Sequence, residues 1–137
     1  MSQSGSATEA IDSMKVAVIG SRVFEGLYLT EDYLDGEIRK YPDLTIISGG
    51  ASGVDSIAKQ YAVKKGFNYR EINANWSTYG RAAGPIRNKL IVELADTIYA
   101  FWDEKSKGTW STIQLAKRLG KTCKIVTYAK NSLIERL

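Results

Sequence analysis

The stretch SGGASGVDSIA at residues 48–58 decides the fold, because it joins an apolar run to a helical pattern. Before it, LTIISG at 44–49 has the length and the branched apolar composition of a buried strand. After it, apolar residues recur at helical spacing, and Gly66 is a stop signal; the apolar positions are Val54, Ile57, Ala58, Tyr61 and Ala62. A glycine-rich turn between a strand and a helix is typical of an α/β protein.

The rest of the chain repeats this alternation. Four further strand-like runs are KVAVIG at 15–20, FNYREI at 67–72, DTIYAFW at 96–102 and CKIVTY at 123–128. Helices are predicted over about 30–40, from Pro85 with Ile86, Leu90 and Leu94 on one face, and over about 109–119 before Gly120. Alternating strands and helices predict parallel pairing, right-handed crossovers and helices on both faces of the sheet. We therefore predict a Rossmann-like three-layer α/β sandwich with a five-stranded parallel sheet in the order 3-2-1-4-5.

The length of 137 residues indicates one domain, predicted over 14–137, with one site. Residues 1–13 are polar, lack the pattern of a secretory signal and are predicted to form a flexible tail, with Met14 a candidate structural start. No apolar run is long enough to span a membrane. The single cysteine, Cys123, excludes an intrachain disulfide, and we expect a buried thiol and a cytoplasmic protein.

The charge and the missing residue types limit the function. A net charge of +4 suits an anionic partner but does not by itself specify nucleic acid. We interpret Lys59, Lys64 and Lys65 as a solvated helix face. The chain has no histidine, which excludes serine–histidine, cysteine–histidine and histidine–metal chemistry, and we expect neither a metal nor a cofactor.

The glycine-rich loop is a candidate ligand cradle. In open parallel sheets, ligands bind at the carboxyl ends of the strands near the point where the strand order reverses. Ser48, Gly49, Gly50, Ala51 and Gly53 occupy such a strand end, where backbone amides can approach an anion closely. Asp55 falls in the first turn of the next helix, where it either accepts a ligand hydroxyl or complements the helix dipole.

Three other loops carry matching chemistry. Gly20, Ser21 and Arg22 follow the first strand, and Lys107, Gly108 and Thr109 follow the fourth. The segment WSTYGRAAGPIRN supplies aromatic faces and forked guanidinium groups, at Trp76, Tyr79, Arg81, Arg87 and Asn88. No Walker A lysine and no GxGxxG fingerprint accompany these loops, which disfavours ATP hydrolysis and ordinary dehydrogenase chemistry.

Together the motifs VIGSR, ISGGASGVDSIAKQYA and NWSTYGRAAGPIRNKLIVELADTIYAFWDEKSKGT resemble the SLOG superfamily, in its small YspA/YpsA-related branch. The resemblance extends over about 14–126. It implies a Rossmann-like fold and a nucleotide or nucleotide-derived ligand, and some members act in phage defence or counter-defence signalling.

Two related groups imply different functions. In the LOG phosphoribohydrolases, which cleave the base from nucleoside monophosphates, Arg87 matches the motif arginine and Gly108 and Thr109 match part of the PGGxGTxxE loop. Thr112 occupies the position of the glutamate in that loop, and a threonine cannot act as the carboxylate that stabilises an oxocarbenium-like centre or activates water. Asp55, Asp103 and Glu104 are the candidate replacements, and Arg87 and Asp55 are the candidate catalytic residues.

The second related group is the single-stranded-DNA-binding DprA/Smf proteins. Their SGxAxGID, RNRxIaxLSD and SGxxxTA motifs are similar to SGGASGVD, RNKLIVELAD and KGTWSTI here, with Thr112 at the motif threonine. The longer chain and stronger basic surface of that group are not found in this sequence.

Three functions therefore stay open: nucleotide-ligand binding in a sensor or sequestering protein, N-glycosidic bond hydrolysis, and single-strand nucleic-acid binding. For the first, phosphate is expected at the loops Gly20–Arg22, Gly49–Gly53 and Gly108–Thr109, clamped by Arg87. Asn88 and Asp55 are expected to contact ribose or base, and Tyr79 or Trp76 to lie against the ring. A homodimer through the last two predicted helices and Trp110 is a further hypothesis, and Trp102 and Trp110 are interpreted as core or interface residues.

Overall fold

The computed structural model describes residues 13–136 and contains one six-stranded sheet in the order β3-β2-β1-β4-β5-β6. The strands are β1 (Ser13–Gly20), β2 (Asp43–Ser48), β3 (Asn68–Glu71), β4 (Thr97–Phe101), β5 (Thr122–Ala129) and β6 (Ser132–Arg136). The helices are α1 (Leu27–Ile38), α2 (Val54–Lys65), α3 (Trp76–Tyr79), α4 (Ala83–Leu94) and α5 (Lys107–Arg118). A 3₁₀ turn, Gly80–Ala82, joins α3 to α4.

The predicted fold class is confirmed. The first five strands are parallel, and β1 lies between β2 and β4, so the strand order reverses beside β1. The registers Ala17↔Ile47 and Ala17↔Ile98 bring the carboxyl ends of these three central strands to the same edge. Loops that follow β1, β2 and β4 consequently meet at one place.

The sheet has one strand more than predicted. β6 pairs antiparallel with β5, and the register Ala129↔Ser132 leaves a two-residue turn at Lys130 and Asn131. Both turn residues have positive φ, 51° and 64°, as the tightest hairpins require. The sequence prediction missed β6 because this turn lacks the glycine that usually marks such hairpins.

Two apolar layers cover the sheet. The layer beneath α1 and α2 is rich in aromatic rings and includes Phe24, Tyr61, Tyr99 and Phe101, packed against Leu34. The layer beneath α4 and α5 is built from smaller aliphatic side chains, at Ala17, Ile19, Ile91, Val92, Ala95, Ile98, Ala100, Ile113 and Ala116. Adjacent strand residues alternate between these layers because successive side chains of a strand point to opposite faces.

The helices begin earlier than predicted. α1 begins at Leu27 rather than Thr30, α4 at Ala83 rather than Pro85, and α5 at Lys107, after the cap residue Ser106. Proline also fits inside the first turn, where its missing N–H has no helical partner. The face of α4 against the sheet is Ala83, Ile91 and Val92, whereas Ile86 and Leu90 are exposed, by 38% and 47%.

The described residues begin at Ser13 and end at Arg136. Ser13 belongs to β1, whereas the rest of the predicted N-terminal tail and Leu137 lie outside the described residues. Cys123 is partly rather than fully buried, and burial raises the pKa of its thiol to about 11. None of the helices within residues 13–136 is long and apolar enough to cross a membrane.

Candidate functional site

A cleft of about 670 Å³ opens where the loops after β1, β2 and β4 meet, and it continues between α4 and α5. Its volume falls in the range of ordinary small-molecule sites. Fourteen residues singled out from the sequence line it: Gly20, Ser21, Arg22, Gly49, Ala51, Asp55, Trp76, Arg87, Asn88, Asp103, Lys107, Gly108, Thr109 and Thr112. The loop residues predicted to converge therefore share one cavity.

Five other predicted site residues do not line the cleft. Ser48 is fully buried, and its hydroxyl forms a hydrogen bond with that of Tyr69. Gly50 and Gly53 shape the loop, both with positive φ, 76° and 77°. Tyr79 and Arg81 lie outside the cleft, on α3 and the 3₁₀ turn.

Arg87 fixes the glycine loop from across the cleft. Its Nη1 donates to the carbonyl of Gly49 at 2.6 Å and to that of Ile72 at 3.5 Å, and its Nε donates to Oδ1 of Asn88 at 2.7 Å. A Cβ at position 49 would lie 2.5 Å from Nη1 and 3.0 Å from Oδ2 of Asp55. Glycine is therefore needed at 49 because the guanidinium and the carboxylate occupy the space of a side chain.

Asp55 organises the same loop from the first turn of α2. Its Oδ2 accepts a hydrogen bond from the amide of Ala51 at 3.0 Å, and the side chain is only 7% exposed. Burial raises the pKa of Asp55 above its ordinary value, although the amides of Ala51 and Gly49 and the charge of Arg87 act in the opposite direction. Asp55 is thus a buried acid that holds the loop and faces the cavity.

The loop before α5 is tied to β1 and to its own helix. The amide of Asp103 donates to Oγ of Ser21 at 3.2 Å, and Oδ1 of Asp103 accepts from the amides of Lys105 and Ser106 at 2.9 and 2.7 Å. Desolvation alone would raise the pKa of Asp103, but these amides and the Ser21 hydroxyl outweigh it and hold the pKa below its ordinary value. Asp103 is an ionised carboxylate that sets the loop geometry.

The N-terminus of α5 presents two free amides to the cleft. The Oγ of Ser106 accepts from the amide of Thr109 at 3.3 Å, and its carbonyl accepts from that of Trp110 at 3.2 Å. The amides of Lys107 and Gly108, as the first two residues of the helix, have no helical acceptor. They carry the positive end of the helix dipole, which favours an anion.

Several hydroxyls predicted to contact a ligand are occupied within the protein. Thr112 donates to the carbonyl of Gly108 at 3.0 Å, and the hydroxyls of Thr109 and Ser106 lie 3.2 Å apart. The Ser21 hydroxyl is used by Asp103. Ser111, which was not predicted from the sequence, is exposed in the cleft, and its hydroxyl forms no hydrogen bond with any residue of 13–136.

The cleft cations are not neutralised by ion pairs. Arg22, Arg87, Lys107 and Arg118 line the cavity, with Asp55 and Asp103 as its carboxylates. None of these four basic residues takes part in a salt bridge among residues 13–136. The cavity therefore carries an excess of positive charge available to an anion.

The cleft is also lined by an aromatic ring and by a side-chain amide. Trp76 is 54% exposed and lies over Gly84, where an added Cβ would come within 3.4 Å of its ring. The Oδ1 of Asn88 is used by Arg87, which leaves its amide nitrogen for the cavity. Trp102 and Trp110 instead stack on each other, with ring centroids 5.0 Å apart, and neither lines the cleft.

Further lining residues were missed by sequence reasoning. These are Ile19, Val23, Gly84, Pro85, Ile91, Ser106, Ser111, Leu115 and Arg118. One signal was available for part of this set, because Ser111, Leu115 and Arg118 follow Lys107 at the spacing of one helix face. Residues 13–136 contain no group of three or more Cys, Asp or Glu side chains placed to hold a metal ion.

Comparison with known proteins agrees with this fold. The model of the YspA, cpYpsA-related SLOG family matches residues 14–79. The gene 61 protein of Mycobacterium phage D29 is 34% identical over 113 residues, which is 77% of this chain and 90% of that protein. The fold and cleft define a Rossmann-like protein of the SLOG type. The chain belongs to the YspA, cpYpsA-related SLOG family.

Two solved structures share the fold. DNA processing protein A from Helicobacter pylori, which binds single-stranded DNA, superposes with a TM-score of 0.67 at 22% identity, over 87% of this chain and 67% of that one. DNA processing protein A from Streptococcus pneumoniae gives a TM-score of 0.70 at 21% identity over 89% of this chain. The chain spans about half of the pneumococcal protein, 53%.

Proposed function

We propose that the cleft binds a nucleotide or a nucleotide-derived anion. The observation that carries this proposal is the set of four basic side chains that line one cavity and take part in no ion pair among residues 13–136. Unpaired cations beside a helix N-terminus are the usual means of holding a phosphate. We infer a role in sensing or sequestering such a ligand, in keeping with the phage relative.

The phosphate is placed between the loops after β1 and β4. Those loops are joined through Ser21 and Asp103, and Arg22, Lys107 and Gly108 line the same cavity. The base is placed against the exposed face of Trp76, with the amide nitrogen of Asn88 as a donor to its edge. Arg87 holds the glycine loop in the conformation that this arrangement needs.

Hydrolysis of an N-glycosidic bond is a second candidate, and Asp55 is the observation that favours it. A buried carboxylate with a raised pKa in a cleft is a candidate general acid or base. Thr112 cannot fill this role, because its hydroxyl donates to Gly108 within α5. If the chain is a hydrolase, free base will be released from nucleoside monophosphates, and Asp55→Asn will abolish that release while leaving binding in place.

Single-strand nucleic-acid binding is a third candidate, supported by the fold shared with the single-stranded-DNA-binding protein of H. pylori. Contacts with many phosphates make affinity fall steeply with salt, whereas a pocket for one nucleotide gives a shallow dependence. Salt dependence therefore separates the first and third candidates.

The test is a thermal-shift series with AMP, ADP and single-stranded oligonucleotides at low and moderate salt. A ligand at 100 times its Kd adds about 2.7 kcal/mol to the free energy of unfolding, which raises Tm by several degrees in a domain of this size. Arg22→Gln removes an exposed cleft cation whose side chain forms no hydrogen bond or salt bridge within residues 13–136, and Arg81→Gln is the matched control outside the cleft.

We expect AMP or ADP to stabilise the wild type at both salts, the control to behave likewise, and Arg22→Gln to lose much of the shift. Stabilisation by oligonucleotides alone, and only at low salt, would favour nucleic-acid binding. Equal shifts for both variants would remove the phosphate site from this cleft.

A further inference from the structure

The cleft is longer than a single phosphate site, because it continues as a groove between α4 and α5. On α5 its lining residues are Lys107, Ser111, Leu115 and Arg118, which follow one face from the first residue of the helix to the last. At a rise of 1.5 Å per residue, Lys107 and Arg118 are separated by about 16 Å along the helix. On α4 the groove is lined by residues from Gly84 to Ile91.

The groove carries basic side chains at both ends. Lys107, the first residue of α5, lines one end together with Arg22, and Arg118, the last residue of α5, lines the other. Between them on α5, Ser111 adds an exposed hydroxyl and Leu115 a partly buried apolar side chain. A mononucleotide held at Arg22 and Lys107 would leave Arg118 without an anion.

We propose that this groove binds an elongated ligand with an anionic group at each end, of the class of a short linear dinucleotide with two terminal phosphates. This inference rests on the proposed function of the cleft. One terminal phosphate lies at Arg22 and the amides of Lys107 and Gly108, and the other lies at Arg118. The middle of the ligand lies along Ser111 and Leu115. Charge complementarity at two separated places distinguishes this ligand from a mononucleotide.

The test compares two linear diadenosine dinucleotides, pApA and pApAp, which differ only by the 3′-terminal phosphate. Affinities are measured by calorimetry for the wild type, for Arg118→Gln and for Lys117→Gln, a neighbouring exposed residue that does not line the groove. AMP is titrated as the reference ligand. We expect the added phosphate to improve wild-type affinity by about two- to fivefold, the range of an exposed charge pair. Arg118→Gln removes this gain, whereas Lys117→Gln keeps it.

The outcomes separate this inference from the proposed function. An equal gain in Arg118→Gln and in the wild type overturns the placement of the second phosphate. If AMP binds but pApAp binds no more tightly than AMP, the elongated ligand is wrong and the nucleotide cleft stands. If no nucleotide binds, both fail. If a long poly(dA) strand binds far more tightly than pApAp, with steep salt dependence, the groove is a track for nucleic acid instead.

Discussion

The two faces of the sheet differ in how far their basic side chains are paired with acidic ones. Around α1 and α2, basic side chains meet acidic ones, as Lys64 meets Glu31 at 2.9 Å and Lys124 meets Glu37 at 3.4 Å. On the side of α4 and α5, the cleft cations have no such partners among residues 13–136. The salt bridges of Lys64 and Lys124 lie on the first face, whereas the cleft keeps an excess of positive charge over its two carboxylates, Asp55 and Asp103.

Tyrosine hydroxyls on the face of α1 and α2 also have partners within the protein. Under α1, Tyr61 donates to Asp35 and Tyr99 donates to Glu37, each at 2.9 Å. Burial and these carboxylates raise the pKa of both tyrosines. Polar groups of this face are therefore used for stability, because a buried hydroxyl without a partner costs folding free energy. These polar groups therefore stabilise the fold on one face of the sheet, whereas the cleft with its unpaired cations extends between α4 and α5.

The largest expected effect is on stability. Leu34→Ala, in the aromatic-rich layer, removes a fully buried side chain and should lower the free energy of unfolding by about 3 kcal/mol. Urea denaturation measures this loss, and Val63→Ala, at an exposed position of α2, is the control with an effect under about 0.5 kcal/mol. The folded Leu34→Ala protein should keep its nucleotide affinity. A loss of affinity in protein shown to be folded would break the separation of the two faces.

The next effect is on binding. Arg87→Ala should weaken nucleotide affinity by about 1.5 to 3 kcal/mol, the range of a charge-assisted hydrogen bond together with the loss of the loop contact to Gly49. Gly49→Ala should weaken affinity in the same direction, because its Cβ would displace the guanidinium. The double variant should bind no more weakly than Arg87→Ala, since both changes remove one contact.

A matched glycine control lies on the other face. Gly36→Ala adds a Cβ that meets nothing within 4 Å, in the last turn of α1. It should raise the free energy of unfolding by up to about 1 kcal/mol, through helix propensity, and leave affinity unchanged.

For the double variant of Gly49 and Arg87, additive losses of affinity would contradict the shared contact and show that the two residues act separately.

The smallest expected effect concerns pH. Because burial raises the pKa of Asp55, the folded protein binds this proton more tightly than the unfolded chain, whose aspartate titrates near about 3.9. The contribution of Asp55 to stability is therefore greatest below that pH and falls as pH rises through the raised folded pKa. Asp55→Asn keeps an acceptor for the amide of Ala51, so it should gain stability relative to the wild type between pH 4 and pH 7. A difference that stays constant in urea denaturation across this range would contradict the raised pKa.

Local sequence signals predicted most of the fold. The run 44–49, the glycine loop and the helical spacing from Val54 to Ala62 each point to the element that the structure contains. β6 escaped prediction because a turn at Lys130 and Asn131 depends on two left-handed residues that composition does not reveal. The amphipathic reading of α4 was incomplete, because Ile86 and Leu90 share an apolar face that the sheet does not cover.

By itself, the sequence determined the order of the first five strands, the family and the loops that converge, because periodicity and parallel topology are local or follow from chirality. Only the tertiary structure decided which polar groups remain available to a ligand. The sequence alone does not distinguish the hydroxyls of Ser21, Thr109 and Thr112 from free ones. In the folded protein, all three form hydrogen bonds with other residues. Arg118 looked like an ordinary residue at a helix end, yet the packing of α4 beside α5 places it in the cleft. Whether a side chain is satisfied or exposed depends on residues distant in the chain, and no local pattern contains that information.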